Sequence, residues 1–177
     1  MNLGQKGLDL IKEYEGFRSA PYRDPVGVWT IGYGSTKGVG PNTPRMTEQQ
    51  ASDRLRREVD QTYGAAVNKI PGLNQNQFDA ITSFVYNVGT GGIGDTGVGR
   101  ALRAKDWNRA ANELLKWDKA GGRTLAGLTR RRQAERKLFL TPVGPPVVPV
   151  PPAATEAGEH TGMSWLFPQT APAPFPG

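Results

Sequence analysis

Apolar residues recur at helical spacing along most of this chain, in blocks separated by glycine and proline. Leu3, Leu8, Ile11 and Tyr14 mark one face of a first segment, with Lys6, Asp9, Lys12 and Glu13 on the other faces, and Gly16 ends it. The period then shortens to two. Trp29, Ile31 and Tyr33 fall on one side of residues 28–34 and Val28, Thr30 and Gly32 on the other, which predicts a short strand after a proline-bounded turn at 21–27. Thr47 with Gln50 three residues on is a capping-box pattern, opening a polar helix to about residue 68. Its apolar positions Ala51, Leu55, Val59, Tyr63 and Val67 step by four, a narrow stripe suited to bridging two lobes. Pro71-Gly72 breaks it. Asn74 then caps the most apolar helix, with Phe78, Ile81, Phe84, Val85 and Val88 inward and Gly89 as its stop; this is the expected core helix. After a glycine-dense connection at 90–99, the pattern predicts a helix at about 98–105 and another lined by Trp107, Ala110, Ala111, Leu114 and Leu115. A glycine turn follows at 117–122. The last helix, 128–140, is basic, with Leu128, Ala134, Leu138 and Phe139 as its apolar side and its arginines expected in surface pairs.

Periodicity stops at Pro142. Ten of the 15 prolines lie after Thr141, and that segment holds no Lys or Arg, so residues 142–177 read as a Pro-rich, disordered tail. Its one sticky cluster is Trp165-Leu166-Phe167. The folded part is about 140 residues, enough for a real core. Removing the tail's Glu156 and Glu159 from the formal +6 leaves the body at +8, which suits an anionic partner: nucleic acid, a membrane surface or an acidic cell-wall polymer. The chain has no cysteine, so neither disulfides nor thiolate metal sites contribute. Its only histidine, His160, lies in the tail, which leaves histidine catalysis and histidine metal sites without support. No metal and no cofactor are expected. Charges interrupt the N-terminal segment too often for a signal peptide, and no run approaches the length of a membrane span. The expectation is a chain made in the cytoplasm, without an integral membrane segment. The glycine-dense stretch lacks the Gly-Lys-Ser/Thr ending of a phosphate loop and follows a helix, so no nucleotide site is read there, and no nucleic-acid partner is assigned to the arginines of the last helix.

Chemistry concentrates near the start. Glu15 follows Ile11 by four and Leu8 by seven, so it points with the apolar stripe, where partial desolvation favours the protonated form that a general acid needs. Asp24, between Arg23 and Pro25, is placed to form a turn with its own backbone and to stay solvated and ionised. If the aromatic face of the strand packs inward, Thr30 points to the open side, where its hydroxyl can hold a water or a sugar oxygen. Trp117 reads equally as core or as a platform for a sugar ring, and Tyr33 is the second candidate sugar contact.

Glu15, Asp24 and Thr30, nine and then six positions apart, resemble the catalytic triad of phage-type lysozymes, glycoside hydrolase family 24. TIGYG at 30–34, QFDAITSFVYNVG at 77–89, WDKAGG at 117–122 and GLTRRRQAERKLF at 127–139 resemble that family's landmarks, in order. The resemblance implies an α+β, mainly helical, lysozyme-like fold in two lobes: a small β-hairpin lobe, a long connecting helix and a helical lobe, with residues 1–141 as the catalytic domain. It implies a muramidase that hydrolyses the β-1,4 bond between N-acetylmuramic acid and N-acetylglucosamine in peptidoglycan glycan strands. Glu15 would be the general acid, with Asp24 and Thr30 activating and placing water. Inversion would need the two carboxyls about 6.5–9.5 Å apart. The context implied is a monomeric phage endolysin, released to the periplasm and cell wall by a separate holin-type protein. The alternatives are a lytic transglycosylase on the same bond, a chitinase, and a non-catalytic wall-binding module.

Overall fold

The computed structural model describes residues 1–144; all but the first three residues of the expected tail, including His160 and Trp165-Leu166-Phe167, lie outside them. The first helix, α1 (Gln5–Glu15), buries Leu8 and Ile11 and stops at Gly16, whose φ of +70° suits glycine and whose N–H donates to the Lys12 carbonyl. A hairpin follows, β1 (Arg18–Arg23) antiparallel to β2 (Trp29–Gly32), with Tyr22 opposite Thr30, Arg23 opposite Trp29 and an irregularity between Arg18 and Tyr22. The chain then folds back so that Ile31 and Ser35 exchange backbone hydrogen bonds. Gly32 (φ +67°) and Gly34 (φ +94°) make that reversal.

The bridging helix starts as the capping-box pattern predicts: Thr47 accepts from the Gln50 N–H, and the Gln50 side chain accepts from the Thr47 N–H. It is not uniform. α2 (Glu48–Val59) passes into a π-helical turn at Asp60–Gly64 and resumes as the short α3 (Ala65–Val67). Asn74 and Gln77 form the same reciprocal cap at the head of α4 (Gln75–Val88). A 3₁₀ turn (Thr90–Ile93) occupies the glycine-dense connection, followed by α5 (Gly97–Arg103) and α6 (Trp107–Leu114). The glycine turn forms a minimal hairpin, β3 (Lys119–Ala120) with β4 (Arg123–Thr124), and α7 (Ala126–Leu140) closes the described chain.

Two apolar clusters hold these elements. The larger surrounds α4, where Phe78, Ile81, Phe84 and Val85 meet Leu102, Leu114 and Phe139. The smaller joins α1 to α2 through Leu8, Ile11, Leu55 and Val59, and it includes Tyr33. Tyr63, in the π-helical turn, packs against both. α1 is anchored from outside itself. It has no side-chain N-cap of its own; instead the Asp79 carboxylate of α4 accepts from the Gly4 N–H at 2.8 Å and the Gly7 N–H at 3.3 Å. Asp60 accepts from the Leu3 N–H at 2.7 Å, tying the same end to the bridging helix.

Candidate active site

The amphipathic stripe of α1 carries Glu15 to the lip of a cleft of about 410 Å³ between the bridging helix and α4. Ser35 to Lys37 line it from one side, Glu58 and Gln61 to Tyr63 from another, and Tyr86 and Asn87 complete the lining. The Glu15 side chain is 25% exposed. Its seat differs from the expected apolar one, because the Arg131 guanidinium of α7 donates to Oε1 at 2.8 Å. Oε2 faces the turn after β2: a Cβ on Gly34 would stand 3.9 Å from it and 3.3 Å from the Tyr86 hydroxyl. That approach, together with the left-handed φ, requires glycine there. The Tyr86 hydroxyl donates to the Tyr33 carbonyl at 2.9 Å and so pins the same turn to α4. Burial pushes the Tyr86 phenol above its usual range, with the nearby Glu15 charge adding to the shift.

Asp24 takes the turn-forming place expected of it. Oδ1 accepts from the Val26 N–H at 3.0 Å and the Val28 N–H at 2.8 Å, while its own N–H donates to the Val28 carbonyl. The Thr30 hydroxyl donates to that same carbonyl at 3.1 Å, so Val28 links the two side chains. Thr30 is not on an open face, however. It is 4% exposed, and Ile31 and Gly32 beside it are buried too. The alternation assumed one solvated side, and this strand is covered on both. Glu15 lines the cleft; Asp24 and Thr30 sit in the adjoining hairpin, outside that lining.

Behind Glu15 the core is charged. Arg131, Arg132 and Glu135 are 4%, 0% and 0% exposed, where the sequence suggested surface pairs. Glu135 Oε1 accepts from Arg131 Nε at 3.3 Å, Arg132 Nη2 at 3.0 Å and Ser83 Oγ at 2.9 Å, and Arg132 Nε lies 2.8 Å from Oε2. Burial holds the Glu135 carboxyl above the usual carboxylate range, against the opposing pull of Arg132 and Arg131. Positions 131, 132 and 135 share one helical face, and that spacing was the available signal.

The phage lysozyme family model matches residues 12–135, a span that holds Glu15, Asp24, Thr30 and the buried arginines. The chain belongs to the phage lysozyme family. An endolysin of Acyrthosiphon pisum secondary endosymbiont phage 1 is 42% identical over 146 residues, covering 78% of this chain and 98% of its own. An endolysin of Bacillus phage B103 is 39% identical over 145 residues, and there the match spans 80% of this chain but only 55% of the relative. The fold is similar to a crystal structure of P22 lysozyme, from a Salmonella phage, with a TM-score of 0.72 and 32% identity over 80% of this chain and 99% of that one.

Within this phage lysozyme fold the two expected sugar contacts lie outside the cleft lining. Tyr33 is 3% exposed, its hydroxyl donates to Glu48 Oε1 at 2.7 Å and its ring lies 5.6 Å from that of Phe17, so it offers no free face to a sugar. Trp117 packs edge-on against Phe84 at 5.4 Å as part of the large cluster and is absent from the cleft lining. Both aromatics are retained by packing. The side chains that do face the cleft beside Glu15 are polar, among them Lys37, Glu58 and Gln61. A second recess, of about 400 Å³, lies on the α7 side of the Glu15–Arg131 pair and shares Glu15 and Asn87 with the cleft.

Proposed function

We propose that this chain is a muramidase that hydrolyses the β-1,4 bond between N-acetylmuramic acid and N-acetylglucosamine, and that it serves a phage as an endolysin. The observation that carries the reading is Glu15: one carboxyl oxygen held by Arg131, the other turned to a polar cleft. Glu15 protonates the leaving glycosidic oxygen, a role worth about 10²–10⁴ in rate for a positioned acid. Asp24, with Oδ1 occupied by two amides, keeps Oδ2 for a water and sets negative charge against the oxocarbenium-like transition state. Thr30 helps to place that water through the Val28 carbonyl it shares with Asp24. Inversion is the expected stereochemistry. Residues 1–141 act as the catalytic domain and the Pro-rich segment as an appendage. No helix among the described residues is long and apolar enough to cross a membrane. Release by a separate holin-type protein is part of the same reading.

The test is digestion of purified peptidoglycan by wild type and Glu15→Gln, with mass spectrometry of the fragments. Hydrated reducing ends from wild type, lost in the variant, are expected. Anhydro ends would reassign the chain to the transglycosylases. Equal cleavage by a folded Glu15→Gln would remove the proposed acid.

A further inference from the structure

α7 turns charge, not aliphatic side chains, toward the core behind the catalytic lip. The three guanidinium nitrogens of Arg131 have three different partners: Nη1 donates to Glu15 Oε1 at 2.8 Å, Nε to Glu135 Oε1 at 3.3 Å, and Nη2 to the Ser83 carbonyl at 3.4 Å. Glu135 is held in turn by Ser83 Oγ and by Arg132, whose Nη2 also donates to Asn87 Oδ1 at 3.0 Å. Arg132 is backed by the face of Phe84, 5.0 Å away, and Arg131 by the ring of Tyr14, 5.5 Å away. Charge therefore alternates from the cleft inward: carboxylate, guanidinium, carboxylate, guanidinium. A buried network of this kind contributes no more stability than well-packed apolar groups of the same volume, so packing alone does not account for it.

Resting on the reading of Glu15 as the acid, we propose that Glu135 is a positioning residue for catalysis, acting on Glu15 through Arg131. By engaging the Nε edge it aims Nη1 at Glu15, and its negative charge offsets part of the positive charge that Glu15 senses. A lone guanidinium is free to turn away from Glu15; one gripped at Nε and Nη2 keeps its Nη1 edge on the carboxyl. Arg132 sets how much of Glu135 remains available to Arg131. The other charged or titratable groups around Glu15 are Tyr86 from α4, Glu58 from α2, Tyr63 from the π-helical turn and Lys37 from the wall after β2; Tyr14 of α1 faces Glu135.

The experiment is the pH profile of kcat/KM on peptidoglycan for Glu135→Gln and Arg132→Met. Glu135→Gln keeps the shape and removes a negative charge, so the alkaline limb moves to lower pH by about one unit. Arg132→Met fills the space and removes a positive charge, so the limb moves the other way. The limb position does not depend on how much enzyme is folded, and Arg132→Met decides the matter if Glu135→Gln does not fold. Limbs that stay at the wild-type pH, with activity tracking the folded fraction alone, would reduce Glu135 to a structural residue. Glu15→Gln in the same assay separates the two ideas: if it abolishes cleavage while the limbs do not move, only this inference fails, and if it cleaves normally the acid assignment fails as well.

Discussion

Gly7 stands inside α1, and by intrinsic propensity Gly7→Ala should stabilise a helix by about 1 kcal/mol. The surroundings reverse that sign. A Cβ there would lie 2.6 Å from Leu3 Cδ1, 2.8 Å from Asp79 Cβ and 2.9 Å from Asp79 Cγ, and Leu3 and Asp79 are 2% and 1% exposed. Overpacking of this kind costs about 1–3 kcal/mol. Asp79 also has little room to retreat, since it accepts from the Gly4 and Gly7 amides, and loosening one such bond to a charged acceptor costs about 1.5–3 kcal/mol. The net is a destabilisation of about 1.5–5 kcal/mol, or a Tm lowered by about 3–20 °C at this chain length. Gly127→Ala is the control. Gly127 is in α7 with nothing within 4 Å of its Cβ position, so the same change should gain up to about 1 kcal/mol. Thermal and urea unfolding of the two variants beside wild type give the answer. A Gly7→Ala protein as stable as Gly127→Ala would mean that the α1–α4 contact is not as close as described.

Asp24→Asn should separate turn from charge: the amide oxygen can still accept from Val26 and Val28, so Tm changes little while lysis of peptidoglycan falls at least about tenfold, and equal losses of both would contradict this. Burial raises the Asp79 carboxyl against the opposing bonds of Gly4, Gln75 and Gly7. A carboxyl that binds its proton more tightly in the folded state contributes stability at acid pH and loses it as pH rises through the folded value, so the advantage of wild type over Asp79→Asn in urea midpoint should narrow as pH rises above about 4. A gap that widens would reverse the sign. The +8 body predicts that activity on peptidoglycan declines as salt rises across the range in which the screening length shortens to about 8 Å, and a flat profile would discard electrostatic attraction to the wall.

What the sequence disclosed, it disclosed through short-range rules. The caps at Thr47 and Asn74 were legible because each partner lies three residues on, and the Asp24 turn because its amides are two and four residues away. The acid at the end of α1 followed from stripe and stop. What escaped depends on distant partners. Arg131 reads as an ordinary surface arginine until Glu15 and Ser83 arrive from α1 and α4, and the spacing of 131, 132 and 135 groups the charges on one face without saying that this face turns inward. Tyr33 looked available because its own strand alternates; Glu48 and Phe17 close over it. Thr30 is another such case: alternation put it on the open side, and it is buried.

The borrowed cap on α1 has a consequence for the order of assembly. An 11-residue helix is marginal on its own, and this one obtains its N-terminal acceptors from Asp79, 75 positions beyond Gly4. Its last residue is gripped by an arginine 116 positions away. Made before either partner, α1 gains both anchors only once α4 and α7 are in place. A chain cut short of α7 would carry Glu15 without Arg131, the side chain that holds it at the cleft.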